Sequence, residues 1–102
     1  MSNGIGRGTT PYNRFNVAID LRDANEVWLT YTQGSRIVID KVKSDLTISE
    51  KMVELHLTQK ETLSLKSNLP VSIQFRANIG GEAYRSNIIE TTVEKILKEG
   101  VI

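Results

Sequence analysis

The fold is decided by the segment Val71-Ser72-Ile73-Gln74-Phe75-Arg76-Ala77-Asn78-Ile79, in which apolar and polar side chains alternate without a break. Alternation with a period of two places the apolar set on one face of a β-strand. Pro70 precedes the segment, where a missing N–H group does least harm. Gly80-Gly81 follows and supplies the positive φ angles of a tight hairpin turn. The segment therefore predicts a half-buried strand, a turn, and a return strand from about Glu82, with a break near Ser86-Asn87.

The same alternation recurs on both sides of this hairpin. Predicted strands cover Phe15 to Leu21, Val27 to Thr32, Arg36 to Lys43 and Met52 to Thr58, and Asp45 to Ile48 is a short strand or an extended link. Many short strands with frequent turns are typical of all-β domains. We therefore expect an all-β fold, either an antiparallel β-sandwich or a partly open barrel, with about seven strands.

Helical signals are confined to two places. Thr58-Gln59-Lys60-Glu61 has the spacing of a capping box, which predicts one short helical turn at 59–64. Residues 90–99 are ambiguous, because Ile89, Thr91 and Val93 continue a strand alternation while Val93, Ile96 and Leu97 have helical spacing. The strand is favoured there, and the helix remains the alternative.

Length and composition indicate one domain. A chain of 102 residues, with 39% hydrophobic and 25% charged residues, suits a single globular core. Residues 1–10 contain three glycines and little to bury, so we expect a flexible N-terminal arm followed by one β domain over 11–102. The formal net charge of +1 and the dispersed basic residues argue against a nucleic-acid partner, and no apolar run is long enough for a membrane span.

No catalytic pattern emerges from the ionisable residues. The chain has no cysteine, and its one histidine, His56, falls on the polar side of a predicted strand. Gly4, Gly6 and Gly8 resemble a phosphate loop only in spacing, because no strand precedes them and no helix follows. We therefore expect no enzyme activity, no metal site and no cofactor.

Some apolar residues fall out of phase with the predicted core face. Trp28 alternates with Val27 and Leu29, so either Trp28 is the core residue or it faces outward. The second alternative predicts an interface around Trp28, Val38 and Val42, with Val101 and Ile102 as a docking tail.

Three segments of the chain carry a resemblance to a known group of proteins. They are Arg7-Gly8-Thr9-Thr10-Pro11, the run from Val53 to Gln59, and Ser86 to Ile89 together with Val93 to Ile102. With these segments the chain resembles small proteins encoded in prophages of Gram-positive bacteria, within the tail-side region of structural genes. Its strand layout is also similar to the N-terminal β domain of phage upper baseplate proteins.

The resemblance implies a phage or prophage structural or assembly protein, associated with the tail or baseplate, that works as a protein–protein interaction module. The implied partners are other phage structural proteins or further copies of the chain, in a homo-oligomer. The implied location is the bacterial host cytoplasm during assembly, or the virion. The alternative function is a small phage protein that binds and modulates a host protein.

Overall fold

A computed structural model describes residues 4–102, which form an all-β, sandwich-like fold. Its elements in chain order are β1 (Ile5–Gly6), β2 (Tyr12–Asn16), β3 (Glu26–Gln33), β4 (Arg36–Val42), a 3₁₀ turn (Lys43–Asp45), β5 (Thr47–Ser49), β6 (Met52–His56), α1 (Gln59–Leu63), β7 (Val71–Ile79), β8 (Glu82–Arg85), β9 (Ile89–Thr91) and β10 (Val93–Glu94). The strands form a five-stranded sheet, a three-stranded sheet and a two-stranded pair. The all-β prediction is confirmed, with ten strands among residues 4–102 in place of about seven.

The five-stranded sheet is built on β3 and β7. Its order is β4-β3-β7-β8, and β9 also pairs with β7. β7 has the bounds that the alternation predicts, and its inward side chains Val71, Ile73, Phe75 and Ala77 are buried. Ile73, Phe75 and Ala77 are paired with buried side chains of β3 in an antiparallel ladder. Apolar burial of this kind is the main stabilising term of a domain.

The three-stranded sheet covers the inner face of the first. Its order is β2-β6-β5, and all of its pairs are antiparallel. Val53 and Leu55 of β6 are buried in the core that the two sheets share. Phe15 of β2 meets Phe75 of β7 edge to face, with ring centroids 4.9 Å apart. Aromatic pairs favour this geometry, and here it joins the two sheets.

The turn and break after β7 form as predicted. Gly80 and Gly81 have φ angles of 59° and 89°, as a two-residue hairpin turn requires. Ser86 ends the return strand: its hydroxyl accepts a hydrogen bond from the Phe75 N–H group at 3.0 Å. The pairing of Ile89 with Ile73 leaves two residues of the return strand opposite Gln74. The extra residue forms a β-bulge, and the strand resumes after it. Residues 89–91 and 93–94 are strands, and 95–102 contain no helix.

The predicted helical turn is also confirmed. The Thr58 hydroxyl accepts from the Glu61 N–H group at 3.2 Å, and the Glu61 carboxylate accepts from the Thr58 N–H group at 2.9 Å. These reciprocal bonds satisfy two donors that the helix start leaves unpaired. The capping box therefore fixes where α1 begins.

Residues 4–10 differ from the predicted flexible arm, whose first three residues lie outside the described part of the chain. Ile5 is buried and pairs with Val93, which makes β1 and β10 a parallel pair. The Arg7 guanidinium donates to the carbonyl oxygens of Leu63 and Leu65 at 2.8 and 2.7 Å, and forms an ion pair with Glu99. The glycine-rich composition did not predict these contacts, because they depend on only two side chains, those of Ile5 and Arg7.

The Arg7 contacts should contribute measurably to stability. We expect Arg7→Ala to lower the free energy of unfolding by about 2–3 kcal/mol, since charged hydrogen bonds to the end of α1 are lost. The matched control is Arg14→Ala, which removes a more exposed arginine and its ion pair with Glu54 and should cost less than about 1 kcal/mol. Urea unfolding measures both values, and equal losses would contradict the anchoring role of Arg7.

The buried Tyr31 makes the free energy of unfolding fall as pH rises through the alkaline range. Its side chain is fully buried on β3, and its hydroxyl oxygen accepts from the Asn13 amide at 2.6 Å. Burial raises the pKa of Tyr31 to about 12, against a smaller opposite effect of the Asn13 hydrogen bond. The folded protein therefore holds this proton more tightly than the unfolded chain, whose tyrosines have a pKa of about 10.

The sign of the effect follows from this raised pKa. The stabilisation by the Tyr31 proton is complete below about pH 10 and is lost as pH rises toward about 12. We expect a loss of up to about 2–3 kcal/mol across that range, absent in Tyr31→Phe. Urea unfolding at several alkaline pH values measures it, with Tyr84→Phe at the exposed sheet edge as the control. If the free energy of unfolding depends on pH in the same way in the native protein and in Tyr31→Phe, the raised pKa of Tyr31 is refuted.

Candidate functional site

The outer face of the five-stranded sheet carries the exposed tryptophan. On β3 the inward residues Val27, Leu29 and Tyr31 are completely buried, whereas 41% of Trp28 is exposed. Strand parity accounts for this difference, because neighbouring residues of a strand point to opposite faces. Of the two alternatives that the sequence leaves open, the structure has Trp28 facing outward.

Two charged neighbours hold the Trp28 ring. Its indole N–H group donates to the Glu26 carboxylate at 2.8 Å, two residues earlier on the same face. The Arg76 guanidinium carbon lies 5.3 Å from the ring centroid, within the range of a cation–π contact. These contacts fix the orientation of a large, rigid and exposed aromatic group, which favours binding with little loss of side-chain entropy.

Trp28 belongs to a row of residues that crosses four strands. The register places it opposite Val42 of β4 on one side and Arg76 of β7 on the other, and Arg76 is opposite Arg85 of β8. We call these four residues the Trp28 row. Val42 is 45% exposed, so it faces outward as predicted and extends the apolar surface beside the indole.

Val38 does not belong to this surface. The ladder between β3 and β4 shifts after Tyr31, so that Tyr31 pairs with Ile39 and Thr32 with Ile37. Val38 is the extra residue of this β-bulge, and it packs against the core. Ile37 faces outward instead and is 58% exposed. The prediction for Val38 is wrong because a bulge reverses side-chain parity, and no turn residue in the strand signals it.

The predicted docking tail lies against α1. Val101 and Ile102 both have exposed side chains. The Ile102 N–H group donates to the Gln59 side-chain oxygen at 2.8 Å, and the Gln59 amide donates to the Ile102 carbonyl oxygen, also at 2.8 Å. The tail is therefore bonded to α1, and the structure gives it no contact with the Trp28 row.

An apolar groove that the sequence did not predict opens at one edge of the sandwich. It has a volume of about 370 Å³, and its walls are the segment 16–21 on one side and β7, β8 and the bend before β9 on the other. It exists because β2 ends at Asn16, where its partner β6 begins, so Val17 to Leu21 have no ladder partner beyond one bond from the Val17 N–H group to the Lys51 carbonyl. The strand predicted over 15–21 is therefore too long.

The ionisable side chains do not gather in this groove. Its lining includes Arg85 and Tyr84, and neither histidine nor carboxylate. His56 lies on the outer face of the other sheet, exposed as predicted, and stacks on Tyr12 with ring centroids 4.0 Å apart. Among residues 4–102, no group of three or more His, Asp or Glu side chains is arranged to hold a metal ion.

Because of the β-bulge, we expect substitutions at two neighbouring residues of β4 to differ in their effect on stability. Val38→Asp should lower the free energy of unfolding by about 2 kcal/mol or more, because it brings a charge against the core. Ile37→Asp should change it by less than about 0.5 kcal/mol, because that side chain is in solvent. Thermal and urea unfolding of the two variants measure the difference. The reverse order would show that β4 has a regular ladder.

Comparison with known proteins does not extend these observations. No protein-family model, curated protein or solved structure matches the chain. In the part of the chain from residue 4 onward, no helix is long and apolar enough to cross a membrane. The outer face of the five-stranded sheet, centred on Trp28, is therefore identified as the candidate site by its geometry alone.

Proposed function

We propose that this chain is a protein–protein interaction module that takes part in building a phage tail or baseplate. The proposal combines two supports of different kinds. One is the resemblance of three sequence segments to small prophage proteins, and the other is the exposed Trp28 row on the outer face of the five-stranded sheet. The partner is another structural protein of the particle, or a further copy of this chain.

The single observation that carries the proposal is the exposed and oriented indole of Trp28. Tryptophan is enriched at the energetic centres of protein interfaces, because it buries a large rigid area and retains one donor. Val42 adds apolar area next to it, and Thr30, Gln74 and Asp40 provide polar groups around it. An apolar centre with a polar rim is the usual composition of a specific interface.

In this proposal the protein is in the bacterial cytoplasm during particle assembly and is then incorporated into the virion. Arg7 and Gln59 bond both ends of the described chain to α1, and neither residue belongs to the Trp28 row.

The decisive experiment replaces Trp28 in the phage or prophage that encodes the chain. We expect Trp28→Ala to reduce incorporation of the protein into purified particles at least tenfold, since loss of a central tryptophan typically costs an interface about 2 kcal/mol or more. Circular dichroism and thermal unfolding should show a fold like that of the native chain. Quantitative immunoblotting of gradient-purified particles measures incorporation.

The matched control is Tyr12→Ala, which removes an exposed aromatic residue from the other sheet. It should leave incorporation unchanged. If the native protein is absent from particles and light scattering finds it strictly monomeric, the assembly role is wrong. One stoichiometric host protein recovered with it, in the absence of virion proteins, would replace assembly with modulation of the host.

A further inference from the structure

Two arginines lie directly opposite each other at the exposed edge of the Trp28 row. The register pairs Arg76 of β7 with Arg85 of β8, and both side chains are exposed on the outer face. Like charges at directly opposed positions destabilise a pair of strands. Within residues 4–102, neither guanidinium has a carboxylate within ion-pair distance. The free protein therefore has two opposed guanidinium groups without an ion pair in the described part of the chain, of which Arg76 lies over the exposed tryptophan.

A small depression adjoins this pair. It has a volume of about 130 Å³ and is lined by Trp28, Arg76, Asn78, Ala83 and Glu26, whose carboxylate is bonded to the Trp28 indole. Ala83 contributes to it because its methyl group leaves open the space that a longer side chain would fill. The volume is below the range of about 300–1,000 Å³ for small-molecule sites, and suits one side chain. The depression therefore adjoins Arg76, and Arg85 lies one strand further along the row.

We propose that Arg76 and Arg85 bind a short acidic segment of a partner protein, in which an apolar side chain next to the carboxylates enters the depression beside Trp28. This inference rests on the proposed function and specifies the chemistry of the partner. Guanidinium groups form paired, charge-assisted hydrogen bonds with carboxylates. Binding would neutralise the opposed charges, so the repulsion in the free sheet is relieved when the partner is bound.

A nucleic acid fits this face less well than a protein. Glu26, Asp40 and Glu90 lie on the same outer face, and their carboxylates would repel a continuous phosphate backbone. The chain as a whole has a formal charge of only +1. A local pair of arginines with acidic residues around it favours a short segment with few carboxylates.

A second copy of the chain is also a poorer match than a different protein. Its exposed Leu97 lies in a segment that has Lys95 and Lys98 as well as Glu94 and Glu99. The lysines would face the arginines together with the glutamates. An acidic segment from another protein meets no such opposition.

The test uses the intrinsic fluorescence of Trp28, the only tryptophan of the chain. The probe is a blocked synthetic peptide in which two glutamates flank a leucine, and its control has glutamines in place of the glutamates. We expect the full-length chain to bind the glutamate peptide at least about tenfold more tightly. Binding should weaken as salt increases, because exposed charges are screened.

The informative variant is Arg85→Glu. It should reduce binding of the glutamate peptide at least about tenfold, and at the same time raise the melting temperature by about 1–5 °C, because it removes the opposed like charges. A residue with only a structural role would not weaken binding while stabilising the fold. Arg85→Gln should give smaller changes in the same two directions. Arg36→Glu, which alters the net charge equally at the far end of β4, should leave peptide binding unchanged.

Several results would overturn the inference. They are equal binding of the glutamate and glutamine peptides, unaltered binding by Arg85→Glu, equal loss in Arg36→Glu, and tighter binding of a single-stranded oligothymidylate than of the peptide. The proposed function has its own readout. If Trp28→Ala prevents incorporation into particles while Arg85→Glu does not, the interface is real and the acidic partner is wrong.

Discussion

Seven consecutive residues of β3 pair with seven of β7, and the side chains that this register directs inward are among the least exposed of the protein. Both the buried core and the outer face of the five-stranded sheet depend on that ladder. It buries Leu29 against Phe75 on one side and, by the same alternation, brings Trp28 next to Arg76 on the other. Core and outer face are therefore two results of a single register, since a shift by one residue would exchange them. The three-stranded sheet then covers the buried side, and the Trp28 row remains open.

A second set of contacts secures the ends of the described chain around α1. Arg7 bonds to carbonyl groups at the end of the helix and to Glu99, while Gln59 bonds to the backbone of Ile102. The Thr62 hydroxyl donates to the Thr9 carbonyl oxygen at 2.9 Å. These contacts bring Arg7, Gln59, Glu99 and Ile102 together around α1.

The sequence was informative where a local rule decides the structure. Alternation located Val71–Ile79, and the Thr58–Glu61 spacing located α1. It failed where the outcome depends on a partner elsewhere in the chain. The strand from Phe15 stops early because β6 supplies no further partner, and Val38 turns inward because β3 and β4 differ by one residue in length between their paired ends. Within the candidate site, parity marked Trp28 and Val42 as out of phase but left open which face is buried. The opposition of Arg76 and Arg85 follows from the two-residue turn at Gly80-Gly81, which fixes the register of β7 with β8, but neither arginine carries a signal of its own.

The parallel pairing of Ile5 with Val93 has a consequence for the order of folding. It joins residues from the two ends of the described sequence, whereas the β3–β4 and β7–β8 hairpins join near neighbours. Loop-closure entropy makes such distant contacts slow to form, and folding rates fall as they become more numerous. During synthesis on the ribosome, Ile5 must wait until Val93 has emerged. The two hairpins can form before then. The pairing of β1 with β10 is therefore expected to form last.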